Sequence, residues 1–295
     1  MKINFKKIQY LFISSRPKHS IKNLLIFLPI LASNNLYNEY LLDTFFAFFF
    51  LILITSATYI LNDVIDFKYD SMHITKKFRP IASKKLSFSE SVFFSFILIF
   101  FSIFCLIFLF NFEIVFYFIL YLLITSTYSI FFKKIIWIDI FILSLLFLIR
   151  VYLGNLVSNL KESFWLLSFC FMFFLMLACV KRISELSIDI KSSGRGYGKH
   201  HIKYLKNLSY FLSCLASLVW VFYSLSYSAD ILYNFNELLI IVSFLILFWS
   251  LRIVKLSLNK NIGYDPVVFV IYDKFSYILF LIIFITILAS KYLGI

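Results

Sequence analysis

Nine apolar runs constrain this chain more than any other feature. They lie near residues 24–38, 42–65, 88–110, 114–132, 136–158, 163–184, 207–229, 236–256 and 270–291. A helix needs ~20 apolar residues to cross a bilayer core, so the first run is short and the fourth borderline. The runs leave too few polar residues to cover a soluble globule: 62% of the 295 residues are hydrophobic, and mean hydropathy is +0.93. The expected fold class is all-α, a polytopic membrane protein with about nine transmembrane helices. Residues 1–295 read as one transmembrane domain, with residues 1–23 as a basic interfacial arm. That arm lacks the apolar core and small-residue cleavage site of a signal peptide.

The net charge of +13 is informative through its placement. Of 28 Lys and Arg, 24 fall in residues 1–23, 66–87, 133–134, 181–206 and 252–260. Only Lys161 and Lys291 fall in the alternate loops. This split follows the positive-inside rule and predicts a cytoplasmic N-terminus and an outer C-terminus. Nucleic-acid binding would explain the charge but not its segregation, so no nucleic-acid partner is expected. The long loops share the cytoplasmic side, which places function at that mouth. Cys105, Cys170, Cys179 and Cys214 are isolated in apolar runs, and His19, His73, His200 and His201 have no metal-ligand spacing.

The stretch Asn62–Leu86 carries the chemistry. Asp63, Asp66 and Asp70 share a helical face, and Asn62 stands four residues before Asp66. Like charges on one face repel unless a cation sits among them. An all-oxygen set of Asn62, Asp63, Asp66 and Asp70 suits Mg²⁺, which takes one or two carboxylates together with substrate phosphates. Lys68, Lys76, Lys77, Arg79, Lys84 and Lys85 supply the cations those phosphates require.

A second charged cluster closes the sixth run: Lys181, Arg182, Glu185 and Asp189. Beyond it, Ser192–Gly198 holds three of the six glycines, and backbone N–H groups with Arg195 could meet a phosphate there. The fifth run contains Asp139 near its cytoplasmic end and Arg150 near mid-depth. Eleven residues separate them by ~16 Å, so they cannot pair with each other. Tyr128 precedes Lys133 and Lys134 at the same mouth. Arg16, Lys18 and Lys22 stand where the first run begins; on an α-helix Lys18 and Lys22 share a face, reaching lipid phosphates or the mouth. Asp265 before Pro266 reads as a helix N-cap, and Asp273, one or two turns further in, needs a partner.

In order, these blocks resemble the UbiA superfamily of intramembrane prenyltransferases. The resemblance is closest to its branch that uses phosphoribosyl pyrophosphate, the decaprenyl-phosphate phosphoribosyltransferases. The blocks are R-P-K-x-x-x-K-N-L-L-x-F-x-P at Arg16–Pro29, N-D-x-x-D-x-x-x-D with K-x-x-R-P-I-A-S at Asn62–Ser83, Y-S-x-x-x-K at Tyr128–Lys133 continuing to Asp139 and Leu148–Arg150, K-R-x-x-E-L at Lys181–Leu186, and D-P-V with a later D-K at Asp265–Lys274. The resemblance implies helices around a central cavity open to the cytoplasmic side of a bacterial inner membrane. It implies Mg²⁺-dependent transfer of 5-phosphoribose from phosphoribosyl pyrophosphate to a polyprenyl phosphate. The expected roles are catalytic for Asp63 and Asp66, and metal-binding for these two with Asn62 and Asp70. Substrate contacts are expected from Lys18, Lys22, Asn62, Lys68, Lys76, Arg79, Tyr128, Lys133, Arg150, Lys181, Arg182, Glu185 and Arg195. The chain departs from that branch after Leu186, where Asp189 and the glycine-rich loop are its own. Two alternatives stand beside this reading. An aromatic prenyltransferase of the same fold would carry a second aspartate-rich motif where Lys181, Arg182 and Glu185 stand here. A transporter for a phosphorylated lipid would want the cations but not the clustered carboxylates.

Overall fold

The computed structural model describes residues 5–33, 39–73, 75–188, 195–259, 262–263 and 265–293. A bilayer core offers no water to backbone N–H and C=O groups, so apolar runs must close their hydrogen bonds internally. Among the described residues every regular element is accordingly helical. In chain order they are α1 (Phe5–Ser14), a 3₁₀ segment (Pro17–Phe27), α2 (Leu28–Ala32), α3 (Leu41–Ile65), α4 (Phe67–Met72) and α5 (Phe88–Leu109). Then come α6 (Phe112–Ile130), α7 (Ile138–Val157), α8 (Phe164–Ile188), α9 (His201–Ser224), α10 (Tyr227–Leu232), α11 (Leu238–Leu258), α12 (Pro266–Val270) and α13 (Lys274–Tyr292). Single 3₁₀ turns at Lys76–Phe78 and Phe132–Lys134 complete the list.

Eight of these helices are long and apolar enough to cross a membrane, so the protein is multi-pass. The run expected as a first span takes another form. Arg16 meets Asp63 at one end of α3, whereas Tyr40, at the other end of α3, lies beside Asn159 beyond the end of α7. The chain between Arg16 and Tyr40 therefore passes from one end of the bundle to the other. The 3₁₀ segment and α2 carry it: at ~2.0 Å and ~1.5 Å per residue they reach ~30 Å, the thickness of a bilayer core. A 3₁₀ helix rises faster than an α-helix, so a short run suffices.

Side-chain oxygens start several helices. Ser87 and Glu90 form a capping box on α5, with bonds of 3.2 and 3.1 Å. Asn111 Oδ1 accepts the Ile114 N–H at 3.0 Å to start α6. Asp273 caps α13 through the Ser276 N–H at 3.1 Å and is paired with Arg252 by a two-pronged bridge of 2.6 and 2.9 Å.

Helix α7 is the seam of the bundle. Ile140 and Val151 pack into one apolar cluster with α8, α9, α11 and α13, while Ile142, Leu146, Leu153 and Val157 pack into another with the 3₁₀ segment, α3 and α6. Gly154 lets the 3₁₀ backbone approach: a Cβ there would stand 2.0 Å from the Ile26 carbonyl oxygen. At the periphery α5 and α13 leave most of their apolar surface exposed, the pattern of lipid-facing helices. Helix α1 exposes Phe5, Ile8 and Phe12 and packs Tyr10 and Leu11 against Ile60, Ile81 and Leu86.

Candidate functional site

The 3₁₀ segment decides which N-terminal cations face inward. With three residues per turn, side chains at i and i+3 eclipse. Arg16, His19 and Lys22 thus form one row, and all three line the same cavity. Arg16 begins the row from a left-handed conformation, φ 54° and ψ 61°, uncommon for a residue with a Cβ. Lys18 falls off this face. It is exposed, donating to the Tyr272 hydroxyl at 2.8 Å. The expectation that Lys18 and Lys22 share a face rested on an α-helical period, and the tighter helix corrects it.

Helix α3 ends at Ile65, and the chain turns at Asp66 into α4, so the three aspartates straddle a helix break. Cations from distant segments sit among them. Asp63 Oδ1 accepts from Arg16 and, at 3.1 Å, from Arg79; Arg79 also donates to Asp70 at 2.5 Å. Asp66 accepts from Lys133 at 2.5 Å and from the Asn62 amide at 3.0 Å. Burial raises the Asp70 carboxyl more than the Arg79 charge lowers it. Among the described residues no three His, Cys, Asp or Glu side chains converge as a preformed metal cage. The donor set nevertheless fits an ion that arrives with a diphosphate, because such an ion needs only one or two carboxylates. Asp63 and Asp70 are each engaged through a single oxygen among the described residues.

The second cluster is built differently. Arg182 is 1% exposed and Asp139 is fully enclosed. The guanidinium grips both Asp139 oxygens and donates to the Tyr128 hydroxyl at 3.0 Å, and Tyr128 itself donates to Asp139 at 2.8 Å. Glu185 Oε2 accepts from both Arg182 and Arg195. Gly196 allows that loop to dock: a Cβ there would lie 2.7 Å from the Lys134 carbonyl oxygen, and the buried Tyr197 hydroxyl accepts the Trp137 N–H at 3.0 Å. Arg182 and Glu185 are absent from the cavity wall, whereas Tyr128 and Arg195 are part of it. Asp189 and Ser192–Gly194 lie outside the described residues.

The cavity measures about 160 Å³ and lies between the two apolar clusters. Among the described residues six cations line it, Arg16, Lys22, Lys133, Arg150, Lys181 and Arg195, against a single carboxylate, Asp265. Arg150 forms part of its wall deep in α7. It is 4% exposed and donates to the Asn23 side chain at 3.0 Å, the Leu146 carbonyl at 2.6 Å and the Tyr121 hydroxyl at 2.5 Å. All three acceptors are neutral, so this buried charge has no carboxylate partner among the described residues. Such a charge attracts an anion strongly. Leu143, Leu146, Phe147, Leu177, Pro266 and Val267 supply an apolar wall.

Of the expected contact residues, Lys22, Asn62, Tyr128, Lys133, Arg150, Lys181 and Arg195 line this cavity. Asp63, Asp66, Asp70 and Arg79 form the ion-paired rim beside it. Lys68 is exposed, and Lys76 lies within electrostatic reach of Asp70 and Glu185. The structure adds Arg16, His19, Tyr59, Tyr121 and Asp265 to the wall. Arg16 and His19 were legible only through a period of three. Asp265 does cap α12, accepting the Val267 N–H at 3.1 Å, but its other oxygen faces the cavity cations.

An all-helical bundle with a cation-lined cavity between two apolar clusters defines a multi-pass membrane protein with an anion-attracting site. The family model for UbiA prenyltransferases matches residues 24–262, and the chain belongs to that family. A protein of Sinorhizobium fredii, the uncharacterized y4nM, is 31% identical over 87% of this chain; the chain spans about half, 51%, of that relative's length. The decaprenyl-phosphate phosphoribosyltransferase of Corynebacterium glutamicum is 26% identical over 73% of this chain and 68% of its own. A solved digeranylgeranylglyceryl phosphate synthase shares the fold, with a TM-score of 0.66 at 20% identity over 97% of this chain and 98% of that one.

Proposed function

We propose that this protein transfers 5-phosphoribose from phosphoribosyl pyrophosphate to the phosphate of a polyprenyl phosphate. The observation that carries the reading is the cavity wall: six cations and one carboxylate among the described residues, joined to an apolar face. Two polyanionic substrates, one with a lipid tail, match that wall. The likeness to decaprenyl-phosphate phosphoribosyltransferases at 26–27% identity supports the same reading.

The chemistry follows from the charges. The bond from C1 of the ribose to the diphosphate breaks, and an oxygen of the acceptor phosphate forms the new bond to C1. The acceptor is already an anion, so no strong general base is required. The barrier lies in bringing like charges together and in the departure of pyrophosphate. Lys133, Arg16 and Arg79 border the aspartate rim and hold the donor's phosphates there, with Lys76 nearby; Arg150 and Arg195 add positive potential from the cavity wall. Members of this family generally depend on a divalent metal. Mg²⁺ would be held by Asp63 and Asp66 with Asn62 and Asp70 in support, and when bound it neutralises charge on the leaving diphosphate. Arg182 acts from behind the wall, fixing Asp139 and Tyr128, and Glu185 fixes Arg195. The segregation of basic loops supports a cavity mouth on the cytoplasmic side of a bacterial inner membrane, with the N-terminus inside and the C-terminus outside.

Glu185 bears on the aromatic prenyltransferase alternative. Its engaged oxygen is held by Arg182, which is 1% exposed and also bound to Asp139, so unlike Asp63 with its more open arginines it is unsuited to exchange that partner for a metal. The test is detergent-purified protein with Mg²⁺, radiolabelled phosphoribosyl pyrophosphate and a panel of lipid phosphates. Pyrophosphate release that requires a polyprenyl phosphate is expected. Prenylation of 4-hydroxybenzoate from a prenyl diphosphate, with no ribose transfer, overturns the reading.

A further inference from the structure

Among the described residues Asp265 is the single carboxylate on the cavity wall, and three basic side chains converge on one of its oxygens. Lys22 Nζ lies 2.5 Å from Asp265 Oδ2, Lys181 Nζ 3.7 Å and His19 Nδ1 3.7 Å. These groups come from the 3₁₀ segment and α8, so one carboxylate ties the start, the middle and the end of the chain together. Two lysines around one carboxylate leave a unit of positive charge unmatched, which a phosphate dianion would balance. Lys22 also lies 5.8 Å from the centre of the Phe147 ring, and Pro266 and Val267 follow Asp265 on the same wall. The three bases therefore stand against apolar surface. The aspartate rim is elsewhere: along the 3₁₀ row, Arg16 at the rim and Lys22 are six residues, ~12 Å, apart.

We propose that Lys22, Lys181 and His19 form the subsite for the phosphomonoester of the lipid acceptor, and that Asp265 occupies it as a built-in competing anion. The acceptor's phosphate displaces the Asp265 carboxylate from the two lysines, while the donor's diphosphate binds at the rim. Asp265 thereby sets a threshold of affinity: an anion that brings its own apolar tail to Phe147, Pro266 and Val267 exceeds it, and free phosphate has no tail contacts with which to do so. This rests on the transfer reading above, but it is tested by binding alone.

The two oxygens of Asp265 separate its roles. Oδ1 caps α12 by accepting from the Val267 N–H at 3.1 Å and the Val268 N–H at 3.4 Å, while Oδ2 faces the bases. Asp265→Asn keeps a good N-cap and removes only the charge. Binding of geranylgeranyl phosphate, inorganic phosphate and phosphoribosyl pyrophosphate is measured calorimetrically on purified wild-type and D265N protein, with melting temperature as the folding control. The expected result is that D265N binds geranylgeranyl phosphate and inorganic phosphate about tenfold more tightly, with phosphoribosyl pyrophosphate changed less than twofold. A purely structural carboxylate gives the opposite sign, because its loss weakens every ligand. Unchanged or weaker binding of geranylgeranyl phosphate overturns the proposal, and so does tightening confined to phosphoribosyl pyrophosphate. Lys22→Met provides an independent arm: a loss of geranylgeranyl phosphate affinity of about tenfold supports the subsite, and an unchanged affinity overturns it. Should ribose transfer fail for this protein while these affinities shift as stated, the subsite stands and the donor assignment falls.

Discussion

Asp63, Asp66 and Asp70 at the rim and Asp139 with Glu185 behind the wall are alike in composition and unlike in what surrounds them. Both groups are carboxylates near the end of a long helix, with basic residues close by in the sequence. At the rim each ion pair keeps one partner partly open to solvent: the Arg16, Arg79 and Asp66 side chains are 20%, 26% and 22% exposed. Behind the wall Arg182 and Asp139 are closed off, and every polar atom of the guanidinium is spent on Asp139, Glu185 or Tyr128. Solvent access lets an ion pair open and exchange partners, whereas a buried pair is locked by the cost of leaving either charge alone. The rim is fit for exchange with a substrate, and the second cluster is fit for holding helices α6, α7 and α8 in register.

That contrast can be broken at its strongest point first. Arg182→Met leaves Asp139 buried without its cation, and a loss of about 3–5 kcal/mol is expected. It is read as a lower melting temperature in detergent. The double change Arg182→Met with Asp139→Leu recovers most of that loss, since neither charge then remains. Asp66→Asn gives the opposite profile: turnover falls on the order of 10²–10³-fold while the melting temperature stays close to wild type. Wild-type Mg²⁺-dependent turnover in this variant removes Asp66 from the chemistry. Gly154→Ala probes the seat of the 3₁₀ row, because the new methyl meets the backbone oxygen of Ile26; about 1–3 kcal/mol of destabilisation is expected by thermal melting.

The smallest effect concerns pH. Burial alone would raise the Asp265 carboxyl, but the Lys22 and Lys181 charges and the Lys22 hydrogen bond outweigh burial and hold it below the ordinary carboxylate range. For a depressed carboxyl the stabilisation is present above the unfolded value of ~3.9 and is lost as pH falls through the folded value. The melting-temperature difference between wild type and Asp265→Asn is therefore constant from pH 7 to about 5 and shrinks only below ~4. Shrinkage already near pH 6 shows that the lysines do not hold this carboxylate.

Much of the fold was legible because membrane insertion leaves few choices. An apolar run of about 20 residues must become a helix, and loop charge sets its direction. The aspartate rim was legible from spacing alone, as was the need for cations among its acids. Lys133 and Arg79 were named as phosphate contacts, and the structure shows that they also neutralise Asp66 and Asp63. Arg182 was expected to touch substrate, since nothing in K-R-x-x-E says that Asp139, 43 residues earlier, will claim its guanidinium. Asp265 was read as a cap, which it is, but its second oxygen could be assigned only with Lys22, 243 residues away, in view.

The chain alone determined a multi-pass helical protein with its basic residues gathered in alternate loops, because hydropathy and loop charge act locally and require no knowledge of neighbours. The pairing of charges was decided only in three dimensions. Which cation answers which carboxylate depends on helix packing and on a local period of 3.0 rather than 3.6, and desolvation then makes some of those pairs permanent and leaves others open to exchange.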